Sequence, residues 1–229
     1  MRTSTLLRHA RTAAGLTQAE ASRRLDVSQP YLSLLETGRR ALTPRVARAA
    51  AKVYSLPATF LPVSPAEPGT NQSSDRLVRQ LAALGYPGYE HVSGGVAVNP
   101  ASFLADALVR PELDARVAQA LPWVAARYFD LDWDWLVSRA KLRDAQNRLG
   151  FVVTLARQLR EKHQGSQAAA KLSAVERPLE ASRLMAETTL GNESMLPSER
   201  SWLRTNRSAE AVRWNVLTSL TADQLRYAP

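Results

Sequence analysis

The chain has 229 residues, 45% of them apolar, with 30 Lys+Arg against 21 Asp+Glu and no cysteine. At about 100–200 residues per domain, that length fits one large or two small globular domains. The lack of cysteine excludes disulfide scaffolds, thiolate zinc sites, Fe–S clusters and cysteine nucleophiles, and no window approaches the ~18 continuous apolar residues of a membrane helix.

Residues 1–15 are basic and amphipathic, without the apolar core of a signal peptide, so the sequence reads as a soluble cytoplasmic protein that does not engage a membrane. The net charge of +9 is concentrated at one end. Residues 1–60 hold ten basic side chains against Glu20, Asp26 and Glu36, a balance of +7, whereas residues 61–229 carry +2. Because 26 of the 30 basic residues are Arg, a compositional bias explains Arg over Lys but not the scarcity of acids before residue 60. A positive field confined to one small region points to a polyanion partner for that region.

In chain order, the first helix is expected over residues 5–14, with Leu6, Leu7 and Ala10 inward and Gly15 as its stop. Thr17-Gln-Ala-Glu20 is a capping box that opens a second helix running to residue 25. Asp26-Val27 makes a tight turn, Ser28 caps a third helix with Leu32 and Leu35 inward, and Gly38 closes it. Thr43-Pro44 is an N-cap followed by a first-turn proline, opening a fourth helix. A short turn over 57–61 completes a first domain at 1–61. Residues 62–74, with three prolines and few large apolar side chains, read as a linker to a second domain at 75–229.

Two helices joined by a short turn inside a five-helix unit form a helix-turn-helix arrangement. The run Gly15-Leu-Thr-Gln-Ala-Glu-Ala-Ser-Arg-Arg-Leu-Asp-Val-Ser-Gln-Pro-Tyr-Leu-Ser-Leu-Leu-Glu-Thr-Gly38 resembles the phage repressor/Cro (XRE) family of DNA-binding domains, and the resemblance covers residues 5–61. It implies that the helix starting near Ser28 lies in the major groove and presents Ser28, Gln29, Pro30, Tyr31 and Ser33 to base edges. Gln29 is the strongest base reader, because an amide pairs bidentately with adenine N6 and N7; Tyr31 serves equally well as packing. Gln18, Thr37, Arg39, Arg40 and Arg45 would contact phosphate, and Arg11 and Glu36 match an internal salt bridge between the first and third helices. Family domains bind as dimers to two half-sites about one helical turn apart.

The second domain reads as helices over 75–84, 100–109, 112–128, 134–162, 166–176, 178–190, 198–204 and 208–219, with a small β-hairpin turning at Ser93-Gly-Gly95. The fold class is therefore all-α with at most that hairpin. Thr221-Ala-Asp-Gln224 is a second capping box, and Trp123, Trp202 and Trp214 are expected in the core. Trp135, Leu142 and Leu149 recur every seven residues beside Ala145, Val152 and Leu159, a seam that is either bundle core or a subunit or partner interface, with Gly150 allowing close approach.

Catalytic motifs are missing. No metalloprotease helix, phosphate-binding glycine loop or nucleophile elbow occurs, and His9, His91 and His163 lie far apart. Asp130, Asp132 and Asp134 suit a helix start better than a cation site. No enzyme activity and no cofactor are implied.

The stretches Leu84-Gly-Tyr-Pro-Gly-Tyr89, Leu121-Pro-Trp-Val, Leu131-Asp-Trp-Asp-Trp-Leu136 and Asn147-Arg-Leu-Gly-Phe151 resemble the C-terminal part of bacterial repressors encoded beside toxin genes. That resemblance implies an antitoxin that represses its own operon and masks a toxin, of the nucleotidyltransferase-like class. Together these features describe a homodimeric repressor of double-stranded DNA operators whose second half carries self-association. Two other functions fit the same sequence: a ligand-responsive regulator whose helical domain encloses a small molecule, and an interaction adaptor that no longer binds DNA. Limited proteolysis checks the division: cleavage is expected first between residues 62 and 74, leaving two protease-resistant fragments.

Overall fold

The computed structural model describes residues 3–63, 74–163 and 165–229. Most of the expected linker lies outside those residues. The chain divides into two compact units, Met1–Ser64 and Pro65–Pro229.

The first unit holds α1 (Thr3–Ala13), α2 (Gln18–Arg24), α3 (Gln29–Glu36) and α4 (Pro44–Val53), followed by a 3-10 turn at Ala58–Phe60. Local chemistry places each start. The Thr17 hydroxyl accepts from the Glu20 N–H at 3.2 Å while Glu20 accepts from the Thr17 N–H at 2.8 Å. Ser28 and Thr43 cap α3 and α4, each ahead of a first-turn proline. Gly15 and Gly38 end α1 and α3 at φ +67° and +73°, a region that costs a side chain dearly and glycine little. Leu7, Leu16, Leu25, Leu32, Leu35, Val46, Ala50 and Phe60 meet in one apolar core.

The second unit comprises α5 (Ser74–Ala83), α6 (Pro100–Leu108), α7 (Ala115–Arg127), α8 (Trp133–Lys141), α9 (Gln146–Lys162), α10 (Ser166–Glu180), β1 (Thr188–Thr189), α11 (Pro197–Asn206), α12 (Ala209–Arg213) and β2 (Val216–Leu217), with 3-10 turns at Pro87–Tyr89 and Ala222–Gln224. Helix α9 is its axis: α7, α8, α10, α12 and both strands pack on it. Two of its polar residues tie a loop, a strand and the end of α6 to it. Asn147 donates to the Leu184 carbonyl at 2.9 Å and accepts from the Leu184 N–H at 2.8 Å. Arg148, buried, donates to the carbonyls of Leu108 and Arg110, to Thr188 Oγ1 and to Glu193.

The structure corrects several expectations. The expected helix over 134–162 is two helices, broken where Asp144 adopts φ +52°. The seven-residue seam therefore does not lie on one helix. Leu142 stands at the break, 75% exposed, and Trp135 is half-buried, while Ala145, Leu149, Val152 and Leu159 are buried inside the unit. Those four side chains are core, the first of the two uses expected for the seam.

Helix α10 runs through Pro178 to Glu180, and no helix spans 178–190, because Asn147 and Gln146 hold the chain at Leu184 and Ser182 by backbone hydrogen bonds. The hairpin at residues 93–95 is not formed. A Cβ on Gly95 would sit 2.1 Å from the Arg79 carbonyl oxygen, so this glycine serves close packing on α5. The strands that do form are a parallel pair, Thr188 opposite Val216 and Thr189 opposite Leu217. Trp123 and Trp214 are core as expected, but Trp202 is 56% exposed.

Gly150 admits the Trp214 ring rather than another helix: a Cβ there would lie 2.3 Å from Trp214 Cζ3, and the indole N–H donates to Thr154 Oγ1 at 2.8 Å. Gly150→Ala should therefore destabilise the second unit by about 1–3 kcal/mol despite the better helix propensity of alanine. A fall in the melting temperature, with loss of near-ultraviolet tryptophan dichroism, checks this.

Candidate nucleic-acid interface

The turn between α2 and α3 sets the direction of α3. Asp26 adopts φ +53°, and the Val27 N–H donates to the Ser22 carbonyl at 3.0 Å, which reverses the chain within three residues. Leu25, Leu32 and Leu35 then pin the inner side of the motif. Ser28, Gln29 and Pro30 are consequently exposed at the start of α3, and Ser33 is half-buried one turn later. Ser28 accepts from the Tyr31 N–H at 3.3 Å, which leaves its own O–H to donate outward. Tyr31 is half-buried and packs against the core, so much of its ring is committed to packing.

A buried carboxylate ties α3 to the rest of the unit. The Arg11 guanidinium donates to both Glu36 oxygens at 2.6 and 3.2 Å, and its third branch reaches the Leu16 carbonyl at 2.7 Å. The Glu36 side chain is only 2% exposed. This hydrogen bond keeps the guanidinium even more firmly protonated than usual. Gln18, which the family resemblance assigns to phosphate, donates its side-chain amide to Glu36 at 3.0 Å and is thus at least partly structural. Sequence reasoning missed Tyr54, whose buried hydroxyl has no hydrogen-bond partner among the described residues and whose phenol is pushed up by burial and by the Glu36 charge. Nothing local in the sequence marks that tyrosine.

The basic residues around the exit of α3 differ in how free they are. The Arg39 and Arg40 N–H groups both close α3 on the Leu34 carbonyl, at 2.9 and 3.2 Å. Their side chains are exposed and make no ion pair with a described residue. Arg45 donates to the Asp26 carboxylate and carbonyl, each at 3.1 Å, but both side chains are largely in solvent. Such exposed pairs contribute little and exchange readily for another anion. The Thr37 hydroxyl donates back to the Ser33 carbonyl at 2.8 Å. Elsewhere, Asp132 caps α8 by accepting from the Trp135 N–H, which gives the acidic run a structural use.

Residues 4–59 match the helix-turn-helix domain family, so the first unit is a helix-turn-helix domain. That match spans about a quarter of the chain. No curated protein and no solved structure matches the chain. Among the described residues, no helix is long and apolar enough to cross a membrane, and no group of three or more His, Cys, Asp or Glu is placed to hold a metal ion.

Arg11→Ala would leave the Glu36 carboxylate buried without its cation, which costs about 3–5 kcal/mol. The melting transition of the first unit should fall sharply while that of the second stays in place; differential scanning calorimetry of the full chain reads both.

Proposed function

We propose that the protein is a sequence-specific DNA-binding regulator of transcription, acting as a repressor. One observation carries this: the outer side of α3 is polar, exposed and rigidly backed, beside Arg39 and Arg40, which make no ion pair with a described residue. Laid in a major groove, α3 presents the Gln29 amide to an adenine edge, and Ser28 and Ser33 hydroxyls to neighbouring bases. Pro30, at a first-turn position where no N–H is needed, sets its ring against a thymine methyl. Arg39, Arg40 and Arg45 with Thr37 take phosphates and set register without reading sequence. Two half-sites require two copies, and the interior position of Leu149, Val152 and Leu159 leaves their association to other surfaces.

The antitoxin role rests on motif stretches whose residues prove mainly interior: Trp123, Trp133, Leu136, Asn147 and Phe151 are buried. They support a shared fold for the second unit. For a protein partner, the exposed Trp202, beside a groove of about 300 Å³ that includes Met195, Leu203 and Leu217, is the supporting feature.

Titrating the chain's own promoter at two salt concentrations tests the DNA function, with a scrambled duplex as control. Affinity should favour the promoter and fall steeply with salt, as counterions return to the phosphates. Gln29→Ala should cost about 1–3 kcal/mol on the promoter and relax base preference, whereas Arg40→Ala should weaken all duplexes alike and flatten the salt slope. Unchanged preference in Gln29→Ala would remove α3 from the groove.

A further inference from the structure

We propose that the second unit binds a small planar aromatic anion, a ring bearing a carboxylate or phosphate, in the cavity between the Pro87–Tyr89 turn, the start of α7 and residues 224–227. The cavity has a volume of about 460 Å³, within the range of small-molecule sites. The site is independent of the DNA-reading face.

Its walls are aromatic and held still. Tyr86 lies edge-on to Trp123 and to Tyr227, with ring centroids 5.3 and 5.2 Å apart, and tilted to Tyr89 at 5.7 Å. Tyr86, Tyr89 and Trp123 are buried, so their rings cannot swing away. The Trp123 N–H is committed to the Ala228 carbonyl at 2.9 Å, which draws the 224–228 segment over the site. Gly88 lets the rings close: a Cβ there would stand 2.6 Å from Tyr86 Cε1 and 3.3 Å from Tyr227 Cε2. The buried rings form the floor of the site, and the half-buried Tyr227 offers accessible aromatic surface, which suits a flat guest.

The rim is cationic and polar. Arg116 and Gln119, one turn apart on α7, line it together with Gln224 and Arg226. Both arginines are exposed, and neither makes an ion pair with a described residue. Asp114, two residues before Arg116, caps α7 by accepting from the Arg116 and Val117 N–H groups. The Tyr86 phenol is pushed up to about 12, chiefly by burial and then by Tyr227 and Tyr89, so it remains a proton donor at any physiological pH. Aromatic walls give affinity for a ring, while two guanidinium groups at the mouth select an anionic oxygen group, for which their planar fork is suited. The volume admits one or two fused rings and their acid group, which excludes larger cofactors.

Isothermal titration of the full chain tests this with salicylate, indole-3-carboxylate and adenosine monophosphate; the first two represent free aromatic acids and the third a nucleotide. At least one should bind with a Kd below about 1 mM. Arg116→Ala and Arg226→Ala should each weaken that binding roughly tenfold, because one charge-assisted bond is lost. Their melting temperatures should stay unchanged, because both side chains sit in solvent. Acetate and inorganic phosphate, which lack the ring, should bind at least about tenfold more weakly than the best probe. The proposal is overturned if no probe binds at about 5 mM, if the double Arg116→Ala, Arg226→Ala chain binds as the original does, or if the ringless anions bind equally well.

Discussion

A single carboxylate, that of Glu36, organises the first unit. It sits on the last residue of α3, and its side chain is almost wholly shielded from water. An unpaired charge there would cost several kcal/mol, so the fold holds only when Arg11 from α1 and Gln18 from α2 converge on it. Apolar contacts among Leu25, Leu32 and Leu35 bring the helices together but tolerate small rotations. The bidentate ion pair does not. It sets the rotation of α3 about its own axis, and thereby decides which residues face outward.

The second unit solves a similar problem with a neutral amide and a buried guanidinium. Helix α9 carries Asn147 and Arg148 where an ordinary core would have leucines; Asn147 donates to the Leu184 carbonyl, and Arg148 to the carbonyls of Leu108 and Arg110, to Thr188 Oγ1 and to Glu193. Ser182 and Leu184, beyond the end of α10, thus have backbone polar groups satisfied by side chains rather than by a helix of their own. Trp214 completes the arrangement by lying across Gly150, with its N–H satisfied by Thr154. Buried polar side chains (Gln146, Asn147, Arg148 and Thr154) stand among the apolar ones of α9, so the unit holds a defined packing around one helix.

The two proposed sites both draw on polar groups that the fold leaves unspent. Arg11, Arg148 and Arg157 are consumed by internal partners, whereas Arg39 and Arg40 in one unit and Arg116 and Arg226 in the other face solvent. The first pair flanks a polar helix face, which suits an extended polyanion; the second caps an aromatic cavity, which suits a compact one. The same guanidinium chemistry serves two different geometries.

The start and stop of each helix in the first unit were legible in the sequence because each signal acts within four residues: Thr17 with Glu20, Ser28 with Tyr31, Thr43 with Val46, and Gly38 closing α3. The candidate reading face followed from these caps and the family resemblance. Features of the second unit that went unread depend on partners far apart in the chain, such as Asn147 with Leu184, Gly95 with Arg79 and Trp123 with Ala228. Seven-residue spacing is equally compatible with an interface and a core, and burial alone separated Leu149 and Val152 from the exposed Leu142. The sequence by itself thus determined the helix-turn-helix and its charge, because capping and periodicity are local; the tertiary structure decided the break at Asp144, the exposure of Trp202 and the aromatic cavity, because packing answers to neighbours that no local pattern names.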